Sequence, residues 1–287
     1  LKQKKIKFYA IQNGARYDLN RFYHQFKKKI IKKNLLKNFY IPNFFCFGNY
    51  EIDNYKKFQI KVENFYPVGS LRLANYLEEN SLNSLITQPK IYDILVISDA
   101  ILEGSNKHFG IDDAEYAAQK FTKFTIKYAI ENHKKILFSL KRLNGFQKDL
   151  DLEIDFYKKN LSTEEFNFLI SNSTLNYERD KYLSYNLMLK SEITLSIFST
   201  MIRENLSLGR KSASVNFMKS DIFEFPIEGI CKIEDCNYED YKSKLDYLIK
   251  LDIKSFKDEF NYTKYLMNFS ANSSTIDLIK KQINKNF

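Results

Sequence analysis

The chain is 287 residues long with 44% hydrophobic content, enough to bury the core of one large domain or two smaller ones, and two are expected. Lys+Arg 45 against Asp+Glu 35 gives a net charge of +10, which suits an anionic partner such as a nucleotide, a phospholipid surface or nucleic acid, although much of it is Lys scattered among Asn, Ile, Tyr and Phe, a bias an AT-rich genome also produces. The odd set Cys46, Cys231 and Cys236, with no second pair and no nearby His, argues against a disulfide scaffold or a zinc site and for free thiols in a reducing compartment, and no apolar run approaches the length of a membrane span.

Lys5 to Ile11 reads as a buried strand running into Gln12-Asn-Gly-Ala-Arg16. Gly14 permits a turn with positive φ, and Asn13 and Arg16 project from the strand's carboxyl end, where α/β proteins place ligands. An ordinary Asn-Gly turn is the equal alternative. No signal peptide is read before this strand, and the abrupt start at Leu1-Lys-Gln-Lys-Lys5 suggests a fragment of something longer. Leu19 to Leu36 is basic and amphipathic, with Phe22, Phe26, Ile30 and Ile31 at helical spacing and Lys27-Lys28-Lys29 on the wetter side. Such a run is most often a solvated face, with phosphate or membrane contact the minority reading. His24 reads as a surface residue.

Phe39 to Phe47 and Asn64 to Val68 are strand-like and end in turns at Gly48 and Gly69-Ser70. Gly69-Ser-Leu-Arg72 feeds a short helix or linker through Ala74-Asn-Tyr-Leu77. The polar Asn80 to Ser84 stretch is the candidate domain boundary. Ile91 to Ile97 is a continuous apolar run of the kind buried on both faces of a parallel sheet, and it ends at Ser98-Asp99. Asp112 and Asp113 open a long helix to about Asn132, with His133-Lys-Lys135 at its end, as the helix dipole prefers. Ile136 to Leu140 is the next strand. Lys141 and Arg142 at its carboxyl end either face a phosphate or are ordinary surface cations.

Helices are expected over Asp149 to Lys159 and Thr163 to Ser171. Glu192 to Phe217 then reads as strand, tight turn, helix, strand: a β-branched run to Ile197, capping residues Ser199 and Thr200, Ile202 and Leu206 at helical spacing, a stop at Gly209, and a strand from Ser212. A helix starting directly after a parallel strand points unpaired backbone N–H groups at the open end of the sheet, where an anion can sit. Ser199 and Thr200 add hydroxyl donors, and Glu204, one turn after Thr200, could accept from a ribose diol. A structural βαβ unit with a solvated Glu explains the same periodicity. Gly229 to Ile233 reads as a further strand, Tyr238 to Leu251 as an amphipathic helix, and Ile253 to Asn268 and Ser273 to Asn286 as closing helical pieces.

Taken together, Ile11-Gln-Asn-Gly-Ala-Arg16, Phe44-Phe-Cys-Phe-Gly48, Val68-Gly-Ser-Leu-Arg-Leu-Ala-Asn75 and Ser196-Ile-Phe-Ser-Thr200 with Glu204 and Gly209 resemble bacterial surface-carbohydrate and O-antigen biosynthesis transferases of GT-B-like architecture. The resemblance covers most of the chain. It implies an α/β fold with two Rossmann-like domains facing a cleft: residues 1–84 as an acceptor-side domain, 85–270 as a nucleotide-sugar-binding domain, and 271–287 as a helix packing back on the first. The first domain reads as short, as though its opening strands were missing. It implies further that Ser199, Thr200 and Glu204 contact the donor, that Lys141 and Arg142 lie near its phosphate, and that Asn13, Gly14 and Arg16 face the cleft.

The implied activity is glycosyl transfer from a nucleotide-activated sugar to a glycan or lipid-linked acceptor, in the cytoplasm or at the inner face of the cell membrane, without cofactor or metal. Helix N-termini and cations take the place of a metal at the departing phosphate. Asp149-Leu-Asp151 has metal-motif spacing but sits in a charged helical stretch. Asp18, Asp99 and His108 are the candidates for general base. A non-catalytic nucleotide- or glycan-binding protein is the competing class. Nucleic-acid binding ranks last, because the 20 Tyr and 25 Phe fall mainly in apolar strands and helices.

Overall fold

The computed structural model describes residues 7–14, 40–80, 88–99, 114–140, 147–178, 180–219, 225–260, 265–268 and 274–285. Within them the strand-forming runs pair into two sheets. β1 (Tyr9–Ile11), β2 (Ile41–Cys46) and β3 (Val62–Pro67) form a three-stranded sheet in that order. β4 (Tyr92–Ile97), β5 (Ile136–Ser139), β6 (Ser191–Ser196), β7 (Ser212–Asn216) and β8 (Lys232–Glu234) form a five-stranded sheet in the order β5-β4-β6-β7-β8. Every pairing is parallel. The order of the larger sheet reverses between β4 and β6. Chains leaving two such neighbours run to opposite faces, which opens a crevice at their carboxyl ends.

Alternation along the strands builds the larger core. Ile94, Val96, Ile136 and Phe138 point to one face, against Ala117, Phe121 and Tyr128 of α3 (Ala114–Glu131) and Tyr241, Leu245 and Leu248 of α8 (Tyr238–Lys250). Leu95, Ile97 and Leu137 point to the other. There they meet Leu73 and Tyr76 of α2 (Leu71–Glu79), Tyr185 and Met188 of α6 (Leu183–Leu189), and Met201 of α7 (Thr200–Ser207). The helix that follows the third strand of the small sheet therefore packs on the face of the large one. Burial on both faces explains why β4 is an unbroken apolar run.

The small sheet is covered on one side by α1 (Asn49–Lys57), through Tyr55 against Phe44 and Phe58. On the other side Ile279, Leu278 and Ile283 of α10 (Thr275–Lys285) pack against Phe45 and Val68. The helices α4 (Gln147–Asn160), which contains Asp149 and Asp151, α5 (Thr163–Ser171), opened by a Ser162–Glu165 capping box, and α9 (Ile253–Glu259) belong to the larger core through Leu150, Tyr157, Leu169 and Phe256. Among the described residues no helix is long and apolar enough to cross a membrane.

The fold class is thus α/β, with two parallel Rossmann-like layers whose strand ends face one cleft, the GT-B-like arrangement. Helix Asn49–Lys57 is not read from the sequence, because its buried positions include Glu51 and Asn54 and periodicity does not announce it. Two local expectations are corrected. Gly229 has φ 63, so the stretch expected as a strand to Ile233 begins as a 3₁₀ turn, and only Lys232–Glu234 pairs. The helix from Ile253 ends at Glu259, and Tyr265 to Asn268 run as a strap between the sheets. The basic stretch Leu19 to Leu36 lies outside the described residues.

Candidate functional site

The carboxyl ends of both sheets open into a single cleft of about 580 Å³, a volume in the range of small-ligand sites. From the large sheet it is walled by Ser98 and Asp99 after β4, Ser139 and Leu140 at the end of β5, and Phe198 to Met201 after β6. The small sheet brings Ile11 to Asn13 at the end of β1, Phe47 after β2, and the first turn of α2.

The strand-to-helix turn after β6 is held by a carboxylate. Asp99 Oδ2 accepts from Ser196 Oγ at 2.7 Å and from the backbone N–H groups of Ile197 at 2.9 Å and Phe198 at 3.1 Å. It bridges the two strands at which the sheet order reverses and sets the angle at which the chain enters α7. Ser199 is the N-cap and accepts from the Met201 N–H. The amino end of α7, with its positive partial charge, therefore faces the cleft.

Glu204 lies on the same wall, one turn into α7, yet it is only 2% exposed. Ser70 Oγ donates to one carboxylate oxygen at 2.5 Å and the Tyr185 hydroxyl to the other at 2.9 Å. Burial pushes the Glu204 carboxyl above its ordinary value, opposed by these two hydrogen bonds and by the charges of Arg72 and Arg203. The Tyr185 phenol is pushed up too, first by burial and then by Glu204, with Arg72 opposing. Because Ser70 caps α2, Glu204 ties the helix after β3 to the helix after β6.

Across the cleft, Gln12 shapes the Asn13–Gly14 turn. Its side chain accepts from the Phe47 N–H at 3.1 Å and donates to the Gly14 carbonyl at 3.0 Å and to Glu51 at 3.4 Å. Gly14 is not among the glycines with positive φ, so the expected left-handed turn is not what it supplies. A Cβ there would stand 3.6 Å from Thr200 Oγ1, and the two walls meet at this point. Behind it Arg203 of α7 and Glu51 of α1 form a buried pair at 2.5 Å, and Arg203 Nε donates to the Tyr265 carbonyl at 2.8 Å.

Of the residues singled out in the sequence, Asn13, Asp99, Ser199, Thr200 and Glu204 line the cleft and Gly14 abuts it. Arg16, Asp18, His108, Lys141 and Arg142 lie outside the described residues. Gln12, Ser70, Arg72, Asn75, Ser184 and Tyr185 belong to the same lining or its support and were not assigned roles from sequence. Ser70 and Arg72 sit inside a quoted motif, but nothing in their spacing connects them to residues more than a hundred positions away.

No family model and no curated protein matches the chain. Among solved structures it is similar to the wall teichoic acid polymerase TagF, at 14% identity with a TM-score of 0.43, covering 85% of this chain and 59% of that one. It is also similar to a UDP-GlcNAc 2-epimerase from Neisseria meningitidis bound to UDP-GlcNAc, at 16% identity with a TM-score of 0.39, covering 85% and 60%. The chain thus spans less than two thirds of the length of either.

Proposed function

We propose that the cleft binds a nucleotide-activated sugar and that the protein acts in glycosyl transfer onto a growing surface polysaccharide or O-antigen. The observation that carries this reading is the capped amino end of α7, with Ser199 and Thr200, opening at the β4–β6 reversal into a cleft walled by a second parallel sheet. In this reading the α7 amide groups and the two hydroxyls receive the donor phosphate, with Lys141 and Arg142 beside it.

Glu204 receives the ribose diol. A carboxylate has about four acceptor positions, so the bonds from Ser70 and Tyr185 leave room for the sugar hydroxyls. Asn13, Gly14 and Arg16 face the reacting sugar from the small-sheet side. The acceptor hydroxyl attacks the anomeric carbon, the bond from that carbon to the phosphate oxygen breaks, and the proton passes to Asp18, Asp99 or His108. The helix N-terminus and the cations stabilise the charge left on the phosphate, so no metal or cofactor is required. The acceptor is a glycan or a lipid-linked glycan, nucleic acid is not a partner, and the reading places the protein in the cytoplasm or at the inner face of the cell membrane.

A thermal-shift screen against CMP, CDP, UDP, GDP and dTDP tests the reading, since a ligand that binds only the folded state raises the melting temperature. At least one base is expected to stabilise the protein selectively. No shift with any of them overturns the reading.

A further inference from the structure

Arg72 is placed against the preference of its own helix. It stands in the first turn of α2, just after the Ser70 cap, where the helix dipole disfavours a cation. Its side chain is exposed to the cleft, and among the described residues it makes no hydrogen bond or ion pair. What it does make is a cation–π contact, with the guanidinium carbon 5.8 Å from the centre of the Tyr185 ring. That ring is itself locked, stacked on Tyr76 at 5.0 Å and bound through its hydroxyl to Glu204. The Arg72 charge reaches the Glu204 carboxylate, but the two form no ion pair, and the carboxylate oxygens accept instead from Ser70 and Tyr185. A cation held over an aromatic ring, with its N–H fork unspent among the described residues, faces the same cavity as Ser199 and Thr200.

We infer that Arg72 is a phosphate-binding residue of the cleft, holding phosphate oxygens from the small-sheet side while the amino end of α7 holds them from the large-sheet side. This inference rests on the nucleotide reading above and deepens it. The guanidinium fork matches two oxygens of a phosphate, which a lysine in its place would not do. Tyr185 holds the guanidinium over its ring, and Glu204 holds Tyr185, so one network would position both the ribose acceptor and the phosphate-binding cation.

The test is calorimetry on the full chain and on Arg72→Ala and Arg72→Lys, with three probes: inorganic pyrophosphate, the nucleoside diphosphate that most stabilises the parent, and the nucleoside with the same base. Arg72→Ala is expected to weaken pyrophosphate and diphosphate binding roughly ten- to a hundredfold, the usual scale for hydrogen bonds to a charged group, while nucleoside binding and melting temperature stay as in the parent. Arg72→Lys is expected to fall between. If diphosphate and nucleoside lose affinity equally, or neither changes, the role of Arg72 is overturned while the nucleotide site stands. If the parent binds none of the probes, both readings fall together.

Discussion

Arg203 and Glu51 meet at 2.5 Å, buried, one on the helix that opens the larger sheet's wall of the cleft and one on the helix behind the smaller sheet's wall. Arg203 also donates to the Tyr265 carbonyl, and the strap continues with the Met267 N–H on Ser207 Oγ and the Asn268 N–H on the Phe47 carbonyl. Glu51 in turn accepts from Gln12, which shapes the Asn13–Gly14 turn. The pair therefore links the rear of both walls to a turn that abuts Thr200.

Removing one partner leaves the other charged and desolvated. Arg203→Met or Glu51→Gln should each cost about 3–5 kcal/mol in denaturant unfolding, and the double substitution should cost much less than the sum. Additive losses would show that the two side chains act independently.

Glu204 predicts a pH dependence of definite sign. Burial raises its folded-state pKa, so its contribution to stability is full below the ordinary carboxylate range, about 4.3, and is lost as pH rises through the raised value. The groups facing it are Ser70, Tyr185, Arg72 and Arg203, all of which favour the anion and narrow that window. Glu204→Gln cannot ionise and should gain melting temperature relative to the parent as pH increases from the acid side. A difference that is flat or falls with pH would contradict the raised value.

The ribose role of Glu204 has its own signature. In the parent a 2′-deoxynucleotide should bind about five- to tenfold more weakly than the ribonucleotide, on the order of 1 kcal/mol for one hydrogen bond, and in Glu204→Gln that gap should shrink. Calorimetry on the four combinations decides the point, and an unchanged gap assigns the ribose elsewhere.

Gly69 and Gly14 should respond differently to alanine. Gly69 has φ 88, and a Cβ there would lie 2.1 Å from the Asn268 carbonyl oxygen, whereas at Gly14 the nearest atom is Thr200 Oγ1 at 3.6 Å. Gly69→Ala should lose at least about 2 kcal/mol by strain and clash, and Gly14→Ala far less. Equal melting temperatures for the two variants would remove the backbone crossing as the reason for Gly69.

Cys46, Cys231 and Cys236 are all buried. Burial, with the charge of Glu51 added, pushes the Cys46 thiol up to about 12, and burial raises Cys231 and Cys236 as well. A thiol reagent at neutral pH should label none of them in the native protein and all of them in denaturant. Rapid native labelling would contradict the packing around them.

The amino-acid sequence by itself determines the elements whose signal lies inside them. Ile94 to Val96 announce a strand buried on both faces, the Ser199–Thr200 cap begins α7, and Gly209, with φ 72, ends it. These follow from apolar periodicity and backbone chemistry over a few residues. Helix Asn49–Lys57 escapes that signal because it buries Glu51 and Asn54, and burial of a charge is meaningful only where a partner waits. That partner, Arg203, is 152 positions away. The same distance hides the Ser70–Glu204–Tyr185 network and the Arg72–Tyr185 contact. Periodicity reports which face of one element is apolar; which polar groups meet across two sheets depends on how those sheets are placed, and only the tertiary structure decides it.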